Sequence, residues 1–241
     1  MICRRVILST IAWSTLWLGS VLAALWLLDW PIYWLSDFSF FHAQFSAGFP
    51  LFAICVSFFI TCLSLFTWYF HKNFLHRIST SFMRKWPVPF RWMYPMNLKF
   101  YTSHHLQHHV RVNIGDYVIK TEDQTKSMKF PFWALIGFIG FFSPVLFVIQ
   151  AFIPATVPIV VSGYIACFIF YLMYECSHAM FHADETVWKK YMDRPNWIGS
   201  AATWCYEYHK QHHRDHNTNL DIPPIPFLPW DWLMGTREKA T

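Results

Sequence analysis

The 241-residue sequence predicts an all-α integral membrane protein: four transmembrane helices in two hairpins, with a helical cap on one face of the membrane. Three observations lead there. Hydrophobic residues make up 55% of the chain and charged residues only 14%, too few to coat a water-soluble globule. Four long segments carry no basic residue. All 19 Lys and Arg fall at the N-terminus and in two blocks that alternate with the remaining connections.

The first span, 6–28, follows Arg4 and Arg5. It is long for the apolar region of a signal peptide and lacks a small-residue cleavage site, so it reads as a retained helix. The second is 49–70, and the third and fourth are 130–152 and 155–177 around a turn at Pro154 and Pro158. Each is long enough for a hydrocarbon core of about 30 Å at about 1.5 Å per residue. Residues 30–48, rich in Trp, Tyr and Phe, suit the outer interface. The basic residues put both termini and the blocks 71–129 and 178–241 on the cytoplasmic side, all within a single domain spanning 1–241. The net charge of +5 then serves topology and anionic headgroups, with an acidic protein as a further partner; no nucleic-acid partner is expected. In the first block a helical stretch precedes "PVPFRWMYP" and another runs over 96–110; the second block ends in the proline-rich "IPPIPFLPWDWLMGT". The six Cys form no Cys-x-x-Cys pair and read as small packing residues.

Twelve of the 13 His lie in the cytoplasmic blocks or at the helix ends that feed them; His42 stands apart. His-x-x-His-His occurs twice. On an α-helix positions i, i+3 and i+4 share a face, which selects His105, His108 and His109, with His104 as a neighbour, and then His209, His212 and His213. His178 and His182 form an i, i+4 pair. His71 and His76 are five apart and diverge on an α-helix, so they serve different metals or straddle a helix end. Neutral imidazole ligates Fe, Zn, Cu and Ni, and ten imidazoles suit two ions. Glu175, one turn before His178, is placed to hold a ligand's second nitrogen; Asp116, Glu207 and Asp215 are weaker candidates for that task. Asn217 and Asn219 either hold a metal-bound water or cap a helix end.

The order His-x4-His, His-x2-His-His, His-x3-His, His-x2-His-His, closed by "PWDWLMGT", resembles the fatty acid hydroxylase/sterol desaturase superfamily of membrane histidine-rich di-iron oxygenases from about residue 49 to residue 236. The spacings look most like fatty acyl and ceramide hydroxylases. The resemblance carries over His71 and His76, then His105, His108 and His109, then His178 and His182, then His209, His212 and His213 as ligands of two Fe ions. It implies O2 as co-substrate and hydroxylation of an unactivated C–H bond of a bilayer lipid, with no catalytic residue beyond the metal centre. Lipid or sterol desaturation and carotenoid hydroxylation use the same ligands. The 28 positions from His76 to His104 make a long connection, and no cytochrome b5-like His-Pro-Gly-Gly is present, so electrons come from a separate donor: a ferredoxin, a cytochrome b5 or a reductase. The expected location is a bacterial inner membrane or the endoplasmic reticulum. Zinc is expected to replace iron in purified protein, because imidazole sites bind it well. The rival class is a metal-binding or metal-transporting membrane protein, against which stands the lack of His or acidic residues near the middle of any span.

Overall fold

The computed structural model describes residues 2–36, 40–76, 98–110, 112, 117–131, 133–221 and 230–237. These are helical with no strand among them. The elements are α1 (Ile2–Ser36), α2 (Phe40–Ser46), α3 (Phe49–Phe70), π1 (His71–Leu75), π2 (Thr102–Val110), α4 (Glu122–Met128), α5 (Ala134–Ala151), α6 (Ile159–Phe181), α7 (Glu185–Met192), α8 (Trp197–Arg214) and α9 (Trp230–Leu233). Four stretches are long and apolar enough to cross a membrane: Arg4–Asp29, Phe49–Leu75, Ala134–Ala151 and Ile159–Phe181. The third begins later than the sequence predicts because Pro131 and Trp133 form a turn, with Ala134 N–H bonded to Pro131 O. The fourth begins at Ile159 because Pro158 ends the preceding turn, and it runs on to Phe181, which keeps His178 inside the helix. The helical stretch expected before Pro87, the prolines of 222–229 and Asp116 lie outside the described residues.

The chain divides into two units. One comprises 8–63 and 131–173 and takes in most of α1, α3, α5 and α6. Its outer faces are apolar, with Leu8, Leu16, Ile54, Phe58 and Val148 all exposed, which suits hydrocarbon rather than water. Its polar interior is small and shared. Gln44, fully buried on α2, donates from Nε2 to Gln150 Oε1 at 3.0 Å and to the carbonyls of Ala155 and Val157. Gln150 donates to Ile153 and Pro154 and accepts from Ile159 N–H. The pair thus adds side-chain bonds to the turn's own backbone bonds, such as Val157 N–H to Pro154 O and Ile159 N–H to Val157 O, where water is scarce. On α6, a Cβ at Gly163 would stand 2.6 Å from Leu146 of α5, so the glycine permits the close crossing.

The other unit comprises 1–7, 64–130 and 174–241. Short polar caps start its helices. Thr121 and Gln124 form a capping box on α4, Asp184 accepts from Thr186 N–H on α7, and Asn196 accepts from Ile198 and Gly199 N–H on α8. Gly199 has no room for a side chain: a Cβ there would stand 2.0 Å from Arg194 O and 2.9 Å from Met192 O. This tight approach fixes α8 against the end of α7. Beneath them Tyr117, Met128, Phe181, Trp188 and Tyr206 form an apolar cluster.

Candidate metal centre

Helix α3 passes directly into π1, where His76 N–H closes on His71 O at 3.2 Å. This i→i+5 pattern stacks residues five apart. His71 and His76, expected to serve different metals or to straddle a helix end, stand at the start of π1 and at its C-cap and converge, with their Nε2 atoms 3.0 Å apart. The same geometry continues over the nine residues of π2 and brings His104 Nε2 to 3.1 Å from His109 Nε2 and 3.1 Å from His71 Nε2. It is His104 that turns inward. His105, selected on the assumption of an α-helix, is half-buried at the edge.

Two groups of nitrogens result. His71, His76, His104, His109 and His212 form one; His108, His178, His182 and His213 form the other. Within each group the nitrogens lie within 4.8 Å of one another, and every member is buried. Two nitrogens trans on one ion with bonds of about 2.1 Å stand about 4.2 Å apart, so each group has the dimensions of a single coordination shell. Eight of the ten predicted ligands are in these groups. His209, the other exception, is buried beside the second group with Nε2 3.3 Å from His182 Nε2. The groups abut: the rings of His109 and His213 stack at 4.1 Å. No carboxylate joins either group among the described residues.

Backbone carbonyls orient three of these rings. His71 Nδ1 lies 2.9 Å from Leu220 O, His212 Nδ1 2.8 Å from Thr218 O and His182 Nδ1 2.9 Å from Tyr117 O. A carbonyl only accepts, so each Nδ1 carries the proton and each Nε2 presents a lone pair. The lone pairs of His71 and His212 meet Nε2 of His76 at 3.0 and 3.2 Å. A proton on His76 Nε2 answers one of these lone pairs, whereas a cation would satisfy all of them together, so this donor set fits a metal ion. Tyr117 takes the left-handed conformation, φ +67°, to offer its carbonyl, and Ile119 N–H returns a bond to His182 O. Asn219 is likewise left-handed at φ +52°, in the turn that carries Thr218 and Leu220.

Burial pushes His76, His104, His108, His109, His209, His212 and His213 well below the usual imidazole pKa, and neighbouring imidazoles push the same way. Burial lowers His182 to about 4, against the opposing bond to Tyr117 O. All are therefore neutral near pH 7, the state a metal requires.

The closing motif acquires a role here. Asp231 is buried; its carboxylate accepts from Trp68 Nε1 at 3.1 Å, from the hydroxyls of Tyr208 and Thr236, and from Asp221 N–H at 2.6 Å. Trp68 is one turn before His71, and Tyr208 adjoins His209, so one carboxylate fastens π1 to α8. Sequence reasoning overlooked this tie and the inward turn of His104. The repeated five-residue spacing, 71 to 76 and 104 to 109, was the available signal.

Glu175, expected to hold a ligand's second nitrogen, has its Oε1 accepting from Phe130 N–H at 3.1 Å, and His178 Nδ1 has no hydrogen-bond partner among the described residues. Glu207 forms a surface pair with Lys210 at 3.7 Å. Asp215 accepts from Asn217 N–H, and Asn219 donates to Tyr208 O and Gln211 Oε1, so both asparagines serve the turn after α8. Comparison of the chain with protein-family models, with curated proteins and with solved structures gave no match.

Proposed function

We propose that this protein is a membrane-embedded, O2-dependent di-iron oxygenase that hydroxylates an unactivated C–H bond of a lipid. The observation that carries this reading is the pair of abutting, wholly imidazole groups, of five and four buried nitrogens. Two irons bound there would supply the oxidising power that converts dioxygen and two electrons into attack on such a bond. His71, His76, His104, His109 and His212 would hold one ion, and His108, His178, His182 and His213 the other, with His209 beside it. The chain's own contribution is to keep these rings neutral, aim their Nε2 atoms through the carbonyls of Leu220, Thr218 and Tyr117, and exclude water by burial.

A lipid substrate is favoured by the apolar spans and by a cavity of about 260 Å³ in the unit of 8–63 and 131–173, lined by residues such as Phe58, Phe59, Phe142, Leu146 and Cys167. It offers almost no polar group, which suits hydrocarbon. The spans form two hairpins with both termini and the metal-bearing segments as a cytoplasmic cap, following the basic residues. A separate electron donor would supply the electrons from that side. Zinc would compete with iron on purification.

The test is mass spectrometry of total lipids from cells expressing the intact chain beside cells expressing His108→Ala. A lipid class that gains one oxygen only with the intact chain supports the proposal and identifies the substrate. Loss of two hydrogens moves the reaction to desaturation on the same site. An active His108→Ala protein would overturn the site assignment.

A further inference from the structure

His105 and His216 belong to neither inner group, yet both reach the first. His105 Nδ1 lies 3.1 Å from His76 Nδ1. The His105 ring is 4.7 Å from that of His216. His216 lies 4.7 Å from His109 and stacks on His76 at 5.4 Å. Every inner ligand is buried, whereas these two are partly exposed. The Nε2 atom of His216 is nevertheless shielded from solvent and meets no hydrogen-bond partner among the described residues. A shielded ring nitrogen without a partner is destabilising, and a cation would relieve it.

We propose that His105 and His216, together with the outer nitrogen of His76, form a third metal site, nearer the surface than the inner groups, that captures a divalent first-row ion and passes it to the inner group of five. The proposal rests on the inner groups being metal sites. The 3.1 Å between the Nδ1 atoms of His76 and His105 matches two cis nitrogens on an ion with bonds of about 2.1 Å. Three imidazoles of this kind suit Zn, Co or Fe in the divalent state.

His76 borders both sites through opposite nitrogens: Nε2 faces His71 and His212, and Nδ1 faces His105. A neutral imidazole has one N–H and one lone pair. With the lone pair at Nδ1, the outer site has its third ligand. With the lone pair at Nε2, His76 ligates the inner ion, and its Nδ1–H donates to His105 Nδ1. The outer site then loses His76 and one nitrogen of His105. The exchange balances, since His76 releases a proton from Nε2 and takes one up at Nδ1. Occupation of the inner group thus weakens the outer site, which directs the ion inward and discourages its return.

The test uses the full chain in detergent, stripped by chelator and titrated with zinc, with bound metal counted after dialysis. Wild type is expected to bind two equivalents tightly and a third at least tenfold more weakly; the His105→Ala/His216→Ala double variant is expected to bind two. In a time course with cobalt, followed by visible absorbance, the double variant should fill the inner sites at least tenfold more slowly and reach the same final content. The single variant His105→Gln, which keeps the bulk of the ring, controls for folding and should also load slowly. Two tight equivalents and no third in wild type, or equal loading rates, would overturn this proposal and leave the inner centre intact. Loss of an inner ion in His105→Gln would overturn it too, by making His105 part of the inner group. No binding by wild type at all would defeat the metal-centre reading itself.

Discussion

The same motif, His-x-x-His-His, folds in two ways in this chain. At 209–213 it lies on the α-helix α8; at 105–109 it lies on the π-helix π2. What the two copies share is the adjacent pair. His109 and His212 enter the first group, while His108 and His213 enter the second. Neighbours on any helix point roughly a quarter-turn apart, so an adjacent pair naturally divides between the two groups. What differs is the third ring. On α8 it is His209, three residues before the pair, and it stands beside the second group. On π2 it is His104, four residues before the pair, and it stands inside the first. The motif therefore specifies the dyad, and the helix type specifies its companion.

The most severe break in this comparison is to exchange companions. His104→Ala should weaken metal binding in the first group by more than about 100-fold, read as metal content of the purified protein. His105→Ala should leave two ions bound at equilibrium. The reverse pattern would show that residues 102–110 take α geometry in the working protein.

Acid should act next, and on both copies of the motif together. The buried imidazoles have folded pKa values below the unfolded value of about 6.5, so the unfolded chain binds more protons below that pH. Their contribution to stability is complete above about 6.5 and is lost as the pH falls below it, for His182 down to about 4. His182 alone accounts for about 3 kcal/mol over that window. Bound ions steepen the response, since protons compete for the same lone pairs. Metal retention against pH should therefore fall cooperatively below 6.5. Release on raising the pH from 7 to 8 would contradict it.

These contrasts show which parts of the protein the sequence discloses. The spans are legible because an apolar run of some 20 residues has one stable solution in a bilayer. The two dyads are legible because adjacency divides them whatever the helix. His104 is harder to see, since π geometry depends on where π1 and π2 meet in space, and His71 and His104 are 33 residues apart. Partnerships across greater separation are not legible at all. Gln44 meets Gln150 over 106 residues, and Asp231 meets Trp68 over 163. Glu175 is a third such case: it shares a helix face with His178, yet its Oε1 accepts from Phe130 N–H, 45 residues away in the chain.

A milder perturbation reaches α8 and leaves its dyad unchanged. Gly199→Ala places a methyl group against the carbonyls of Arg194 and Met192, and backbone cannot yield as a side chain does. The cost should be about 1–3 kcal/mol, visible as a lower unfolding midpoint. Because α8 carries one member of each group, both ions should weaken together. Unequal loss would mean that α8 positions only one of them.

The smallest expected effect tests whether π2 matters as geometry or only as spacing. Leu106 is 45% exposed, so deleting it removes little buried surface. The deletion puts His104 three residues before the dyad, the spacing that α8 uses. Long π-helices are rare because their hydrogen bonding is poorer, so the shortened segment should revert to α. If the helix type specifies the companion, His104 then stands beside the second group as His209 does, metal content of the second group stays within about twofold, and the first group keeps four nitrogens and binds more weakly. Undiminished binding in the first group would give the opposite answer: the extra residue of π2 would serve only to widen the spacing.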